Sequence, residues 1–415
     1  MSYISESMRD LLQSNSVIRE MFEEGNRLAV EYGREQVYDY SLGNPNVPAP
    51  EAVRYAAEEI LEHEDPRLIH GYMSNAGFPE VRRAVAESLN ERFQTAYTEK
   101  QLIMTAGAAA GLNILLKTIL NLGDEVIVFA PFFSEYRNYV GNYGGKLVVV
   151  PADTESFQPD LAAFSGALSA RTKAVLINTP NNPSGVVYTE ETLRRLNALI
   201  EEGERRFHSV ILTISDEPYR ELVYDSAEVP WVPALIPHAV VVYSYSKSLS
   251  LPGERIGWLL VPDTVPEAEA LAEAATVANR ICGFVNAPSL IQRVLMRCLH
   301  ERADVAAYDR NRKLLYGAMS ELGFYCVPPQ GAFYLLVKVP DGDDRSFAAL
   351  CKKYHVLVVP CSSFACPSYV RMAYCVSHRM IERSLPALQA IAEECFGSAL
   401  RASRSSSSAF SEDGR

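Results

Sequence analysis

Ala239-Val240-Val241-Val242-Tyr243-Ser244-Tyr245-Ser246-Lys247-Ser248 is an apolar run that ends in hydroxyls and a single lysine. A valine-rich run without polar alternation predicts a strand covered on both faces. The chain repeats the pattern on either side. Leu102–Thr105, Glu125–Ala130, Lys146–Val150, Ala174–Asn178, Val210–Ser215 and Gly257–Val261 read as further buried strands, with helical patterns such as Pro79–Phe93, Ala109–Leu120 and Thr189–Glu201 between most of them. Strand–helix alternation predicts an α/β fold whose mostly parallel seven-stranded sheet is covered by helices. Ligands of such sheets bind outside the carboxyl ends of the strands. The turn carrying Lys247 is therefore where chemistry is expected.

The rest of the composition narrows the class. The 415 residues are 48% hydrophobic and 22% charged, with a formal net charge of −12. That acidic balance argues against nucleic acid or an anionic membrane as partner. No apolar run approaches the ~18 residues of a membrane span. The start, Met1–Glu6, has neither the basic nor the apolar region of a secretory signal. All eight cysteines fall in the last third, none in a C-x-x-C pair, and the seven histidines are scattered away from them. No metal site and no disulfide framework are expected, but free thiols in a reducing cytoplasm.

Residues 1–45 are expected to pack with a small C-terminal domain, 46–305 to form the large domain, and 306–397 the small α+β domain. The turn-rich stretch Tyr40–Pro50 reads as a crossing between domains. The small domain has its own strand patterns at Ala332–Val337, Val356–Val359 and Tyr369–Ala373 and a closing helix at Arg379–Cys395. Residues 398–415, with the run Ser405–Ser408, are too polar to pack and are expected to be disordered.

Several strands end in side chains that suit a ligand. Lys247 sits among Ser244, Ser246 and Ser248, with Arg255 eight residues on. A partly desolvated lysine can act as an amine nucleophile, and hydroxyls with an arginine make an anion site. Asp216 and Tyr219 follow the strand Val210–Ser215; a carboxylate there needs a cationic partner or serves as a helix cap. Asn182 lies in the turn Asn178–Gly185 after another strand. Ala108 and Ala109 open a helix in a small-residue stretch whose N–H groups can approach a phosphate. Phe133, after a further strand, could stack on a planar ring. Together these residues suit a flat, phosphorylated, pyridine-like cofactor held as a Schiff base, with Asp216 keeping the ring nitrogen protonated.

With these motifs in order, the sequence resembles the class I/II pyridoxal-phosphate-dependent aminotransferases of fold type I, the aspartate aminotransferase-like superfamily, over roughly residues 30–397. The Ser-x-Ser-Lys and Gly-x-Arg-x-Gly motifs at 244–257, the Asn-x-Pro-x-Asn-Pro-x-Gly motif at 178–185 and the Asp-x-x-Tyr motif at 216–219 carry the resemblance. It implies pyridoxal 5'-phosphate as cofactor. Lys247 would be the Schiff-base lysine and proton shuttle, and Asp216 the partner of the pyridinium. Asn182 and Tyr219 would bond the ring oxygen. Ala108, Ala109, Ser244, Arg255 and, more weakly, Ser246 would hold the phosphate, and Phe133 would stack on the ring. Tyr72 resembles the tyrosine that reaches the phosphate of the neighbouring subunit, which implies a homodimer with shared active sites. Arg371 resembles the arginine that clamps the substrate carboxylate, with Gly43 and Asn182 beside it. The implied reaction moves an amino group between an L-amino acid and a 2-oxo acid. A C–S β-lyase or an aminocyclopropane-carboxylate-synthase-like enzyme would keep the same cofactor residues, and a non-enzymatic cofactor-binding regulator is the remote alternative. The donor stays open: Arg280 is a candidate for a second carboxylate by position only, and Tyr32, Tyr38 and Phe333 would equally allow an aromatic or apolar side chain.

Overall fold

The computed structural model describes residues 3–13 and 17–397. The expected disordered tail 398–415 lies outside the described residues. Two compact units divide the chain. The larger comprises Pro45–Ala306 with Gln330–Ala332; the smaller draws on the chain up to Asn44, on Ala307–Pro329 and on the chain from Phe333. No helix among the described residues is long and apolar enough to cross a membrane, and all eight cysteines are free.

The larger unit is built on a seven-stranded sheet. Its strands in chain order are β1 (Leu102–Thr105), β2 (Glu125–Phe129), β3 (Lys146–Val150), β4 (Thr172–Asn178), β5 (Leu212–Asp216), β6 (Ala239–Ser244) and β7 (Gly257–Leu260). In space the order is β1-β7-β6-β5-β4-β2-β3. β7 alone runs against the direction of the other six strands, pairing Gly257 with both Thr105 and Ser244. The carboxyl ends of β1, β2, β4, β5 and β6 therefore share one edge, and the chain enters β7 from that same edge.

The absence of alternation in these strands has its cause in two-sided cover. One face presents Ile127, Val175, Ile177 and Ala239, packed under Leu193, Leu196 and Ile200 of the helix Glu190–Phe207. Farther along, Val241, Leu260 and Leu102 pack against Val81, Val85 and Leu89 of Pro79–Phe93. The opposite face takes the helix Gly107–Ile119. That helix lies so close that a Cβ on Gly111 would stand 2.8 Å from Val242 Cγ1.

The smaller unit centres on a four-stranded antiparallel sheet of Val359–Pro360, Tyr369–Ala373, Tyr334–Lys338 and Cys326–Val327, in that spatial order. The helices Val17–Tyr32, Asp344–Lys353 and His378–Phe396 belong to the same unit. The single strand expected over Val356–Val359 is two strands. Val356–Leu357 pairs in parallel with Tyr38–Asp39, whereas Val359–Pro360 pairs with Tyr369–Ala373. The chain changes partner at Val358, and an apolar run gives no sign of such a change.

Candidate active site

The shared sheet edge gathers the candidates of the larger unit. Asp216 ends β5 and is 5% exposed. Its Oδ2 accepts a 2.5 Å hydrogen bond from the Tyr136 hydroxyl, while Oδ1 is buried and accepts no hydrogen bond from any described residue. Burial pushes the Asp216 carboxyl up to about 7, against the Tyr136 bond, which pulls it down; the neighbouring Glu217 charge adds to the rise. Burial, with the Asp216 charge beside it, holds the Tyr136 phenol well above its usual range, so it remains a donor. A buried carboxylate with one open oxygen is costly by itself and suits a proton-bearing cationic partner.

Asn178, the residue paired with Asp216 across β4 and β5, ties two candidates together. Its Nδ2 donates to the Asp216 carbonyl at 2.8 Å, and its Oδ1 accepts the backbone N–H of Asn182 at 2.7 Å. Asn182 and Tyr219 are each 5% exposed. Phe133 meets Tyr136 edge to face, ring centroids 5.6 Å apart.

Beyond β6 the chain turns at once into the short helix Tyr245–Ser248, which carries Lys247. Ser244 caps it, accepting the Ser246 N–H at 3.2 Å, and the Ser244 and Ser246 hydroxyls lie 2.7 Å apart. Arg255 comes next to the start of the helix that bears Ala108 and Ala109. Its Nη2 donates to the Ala106 carbonyl at 3.3 Å, and a Cβ on Gly107 would stand 2.8 Å from that nitrogen. The helix Gly107–Ile119 has no side-chain N-cap. The Arg255 guanidinium lies beside its first N–H groups, and Ser244, paired with Gly257 two residues after Arg255, brings two hydroxyls to the same edge, a donor set suited to a phosphate. The residues present thus fit pyridoxal phosphate at both ends: an open carboxylate oxygen for the ring nitrogen and an anion cradle for the phosphate.

Tyr72 is 93% exposed in the single chain. Arg280, on the helix Ala268–Ile281, is exposed as well. In the smaller unit, Arg371 lies on one of the two inner strands of the sheet, paired with Leu336 on one side and Val359 on the other. It is 2% exposed, and its Nη2 donates to the Ser41 carbonyl at 2.6 Å. The rings of Tyr334 and Phe364 lie 4.5 and 5.2 Å from the guanidinium carbon. Gly43 is close to the same tyrosine; a Cβ there would collide with the Tyr334 hydroxyl. Phe333 is fully buried against Tyr308 and Tyr334, whereas Tyr32 is 45% exposed.

Sequence reasoning passed over Tyr136 and Asn178. Their bonds to Asp216 depend on β2, β4 and β5 lying side by side, which no local pattern reveals.

Comparison with known proteins shows the family. The family model "Aminotransferase class I and II" matches residues 36–388. An aspartate/prephenate aminotransferase of Thermus thermophilus is 33% identical over 369 residues, covering 87% of this chain and 92% of its own. An aspartate aminotransferase of Thermotoga maritima is 32% identical over 368 residues, covering 86% and 91%. The crystal structure of an amino transferase from Eubacterium rectale superposes with a TM-score of 0.93 at 44% identity, covering 95% of this chain and all of the other. The chain belongs to the class I and II aminotransferases, the pyridoxal-phosphate-dependent enzymes of fold type I that its strand-end motifs resemble.

Proposed function

We propose that this chain transfers the amino group of an L-amino acid to a 2-oxo acid with pyridoxal 5'-phosphate held at the carboxyl edge of the large sheet. The observation that carries the reading is Asp216, a buried carboxylate with one oxygen fixed by Tyr136 and the other open, on the edge where the Lys247 turn begins. When bound, the cofactor supplies a ring that takes up the electron pair left at the substrate Cα. Asp216 holds the proton on the ring nitrogen. Lys247 supplies the amine that joins the cofactor and, once released, takes the proton from the substrate Cα. Asn182 and Tyr219 bond the ring oxygen, and Phe133 covers the ring. Ser244, Ser246, Arg255 and the N–H groups of Ala108 and Ala109 bind the phosphate. Arg371 takes the substrate α-carboxylate through two of its guanidinium nitrogens, with the Gly43 backbone beside it, and Asn182 is assigned to the substrate as well.

We further propose a cytoplasmic homodimer in which Tyr72 serves the partner's phosphate. The exposure of Tyr72 supports this, together with Leu68, Val277, Ile281 and Phe284, large apolar side chains that are 37–59% exposed on the larger unit.

The donor is tested by a screen of amino acids against several 2-oxo acids. Aspartate and aromatic amino acids come first, since relatives of this chain are named for them. Glutamate formed from 2-oxoglutarate only when a donor is present supports transamination. Ammonia and pyruvate released from a donor alone would instead identify a β-eliminating enzyme on the same scaffold.

A further inference from the structure

We propose that Asp39 is a positioning residue for the substrate carboxylate, acting on Arg371 through Ser41. The inference rests on the assignment of Arg371 above and names what fixes that side chain within the smaller unit.

Arg371 is buried with its guanidinium over the rings of Tyr334 and Phe364, and the Ser41 carbonyl accepts from its Nη2 at 2.6 Å. Rings restrain the plane of a guanidinium but not its rotation within that plane, so the carbonyl sets the direction in which the remaining N–H donors point. Ser41 directly precedes a run rich in proline and asparagine, Leu42–Pro50, which has no regular structure of its own. Its carbonyl holds a fixed direction only if something holds Ser41.

Asp39 does so twice. Its Oδ1 accepts the Ser41 N–H at 2.8 Å and the Ser41 hydroxyl at 2.6 Å. The residue between them is fixed as firmly. The Tyr40 hydroxyl meets Ser384 Oγ at 2.5 Å, its N–H donates to the Leu357 carbonyl, and its carbonyl accepts from Ala373 N–H, two residues after Arg371 on the same strand. Behind Asp39 lies Gly25 of the helix Val17–Tyr32. A Cβ at Gly25 would stand 3.0 Å from Asp39 Oδ2 and 2.9 Å from Leu357 Cδ1. A glycine inside a helix costs about 1 kcal/mol relative to alanine; here it leaves the space that the carboxylate fills. Burial raises the Asp39 carboxyl above its ordinary value, against the two Ser41 bonds that lower it. The chain of contacts runs from helix to carboxylate to turn carbonyl to guanidinium, and a bidentate carboxylate contact at Arg371 depends on the last of these holding its direction.

The test is steady-state kinetics of the cofactor-loaded protein with a reactive amino acid, its 2-oxo acid and the matching amine that lacks the carboxylate. Asp39→Ala is expected to raise KM for the amino acid and the 2-oxo acid about tenfold, with kcat at saturation within about twofold and kcat/KM for the amine unchanged. Asp39→Asn keeps an acceptor oxygen and is expected to restore wild-type KM. Ser41→Ala, which removes only the hydroxyl bond, is expected to give a smaller rise of the same pattern. Asp39→Ala with KM for the carboxylate substrates within twofold of wild type, or with an equal loss for the amine, would overturn the proposal. If Asp39→Ala does not hold cofactor absorbance or melts early, Ser41→Ala decides: no selective rise in KM overturns the proposal. Arg371→Lys in the same assay separates the two levels. If it leaves discrimination between acid and amine untouched, the assignment of Arg371 fails; if it abolishes discrimination while Asp39→Ala does not, only the role of Asp39 fails.

Discussion

Asp216 is the buried carboxylate on which the proposed reading of the larger unit rests, and its burial can be measured without substrate. The folded protein without cofactor keeps the Asp216 proton up to about pH 7, whereas an unfolded chain releases it near 3.8. Folding therefore binds a proton between these values, and stability falls as pH rises through that window. Asp216→Asn removes the charge and keeps the shape. The cofactor-free variant is expected to melt at a higher temperature than wild type at pH 8 and at nearly the same temperature at pH 4. A constant difference at both values would mean that Asp216 is not the titrating group. Tyr136→Phe removes the hydrogen bond that Asp216 Oδ2 accepts from the Tyr136 hydroxyl. A bond to a charged group is worth about 1.5–3 kcal/mol, so kcat/KM is expected to fall about 10- to 100-fold, with the pH dependence of the cofactor absorbance displaced. Unchanged kinetics would reduce Tyr136 to a packing residue.

The strands and helices show why most of the sheet was readable and part of the site was not. Burial on both faces writes itself into the sequence as valine-rich runs, and β1 and β3 coincide with the expected segments to the residue. The strand ends were equally plain, because Lys247, Asp216 and the turn at Asn182 each follow such a run. Pairings across the sheet were not readable. Tyr136 lies 80 residues from Asp216, and their bond exists only because β4 separates β2 from β5 by a single strand. The turn of Asp39 and Ser41 under Arg371 was hidden for the same reason, their contact spanning 330 residues. Close approach of an element is testable where a glycine permits it. Gly111→Ala is expected to destabilise the protein by about 1–2 kcal/mol, since a Cβ 2.8 Å from Val242 Cγ1 forces the helix off the sheet. Val242→Ala opens the space, so the double variant is expected to lose less than the two singles together. Strict additivity in thermal unfolding would show that the two positions do not meet.

For the molecule as a whole, the proposed homodimer joins two otherwise unrelated features: a tyrosine almost fully in solvent and apolar side chains exposed on the larger unit. Sedimentation of the cofactor-loaded protein is expected to give twice the chain mass of 46.0 kDa. Ile281→Asp is expected to shift it towards the monomer and to weaken cofactor retention, because Tyr72 then loses its neighbour's phosphate. A monomer of full activity would contradict both the assembly and the role of Tyr72.

The most direct test of the account as a whole is where the cofactor is bonded. Borohydride reduction of the purified, cofactor-loaded protein followed by peptide mapping is predicted to find the pyridoxyl group on Lys247, in the peptide that follows Ala239–Ser244. Recovery of the adduct on any other lysine, with Lys247 unmodified, would contradict it.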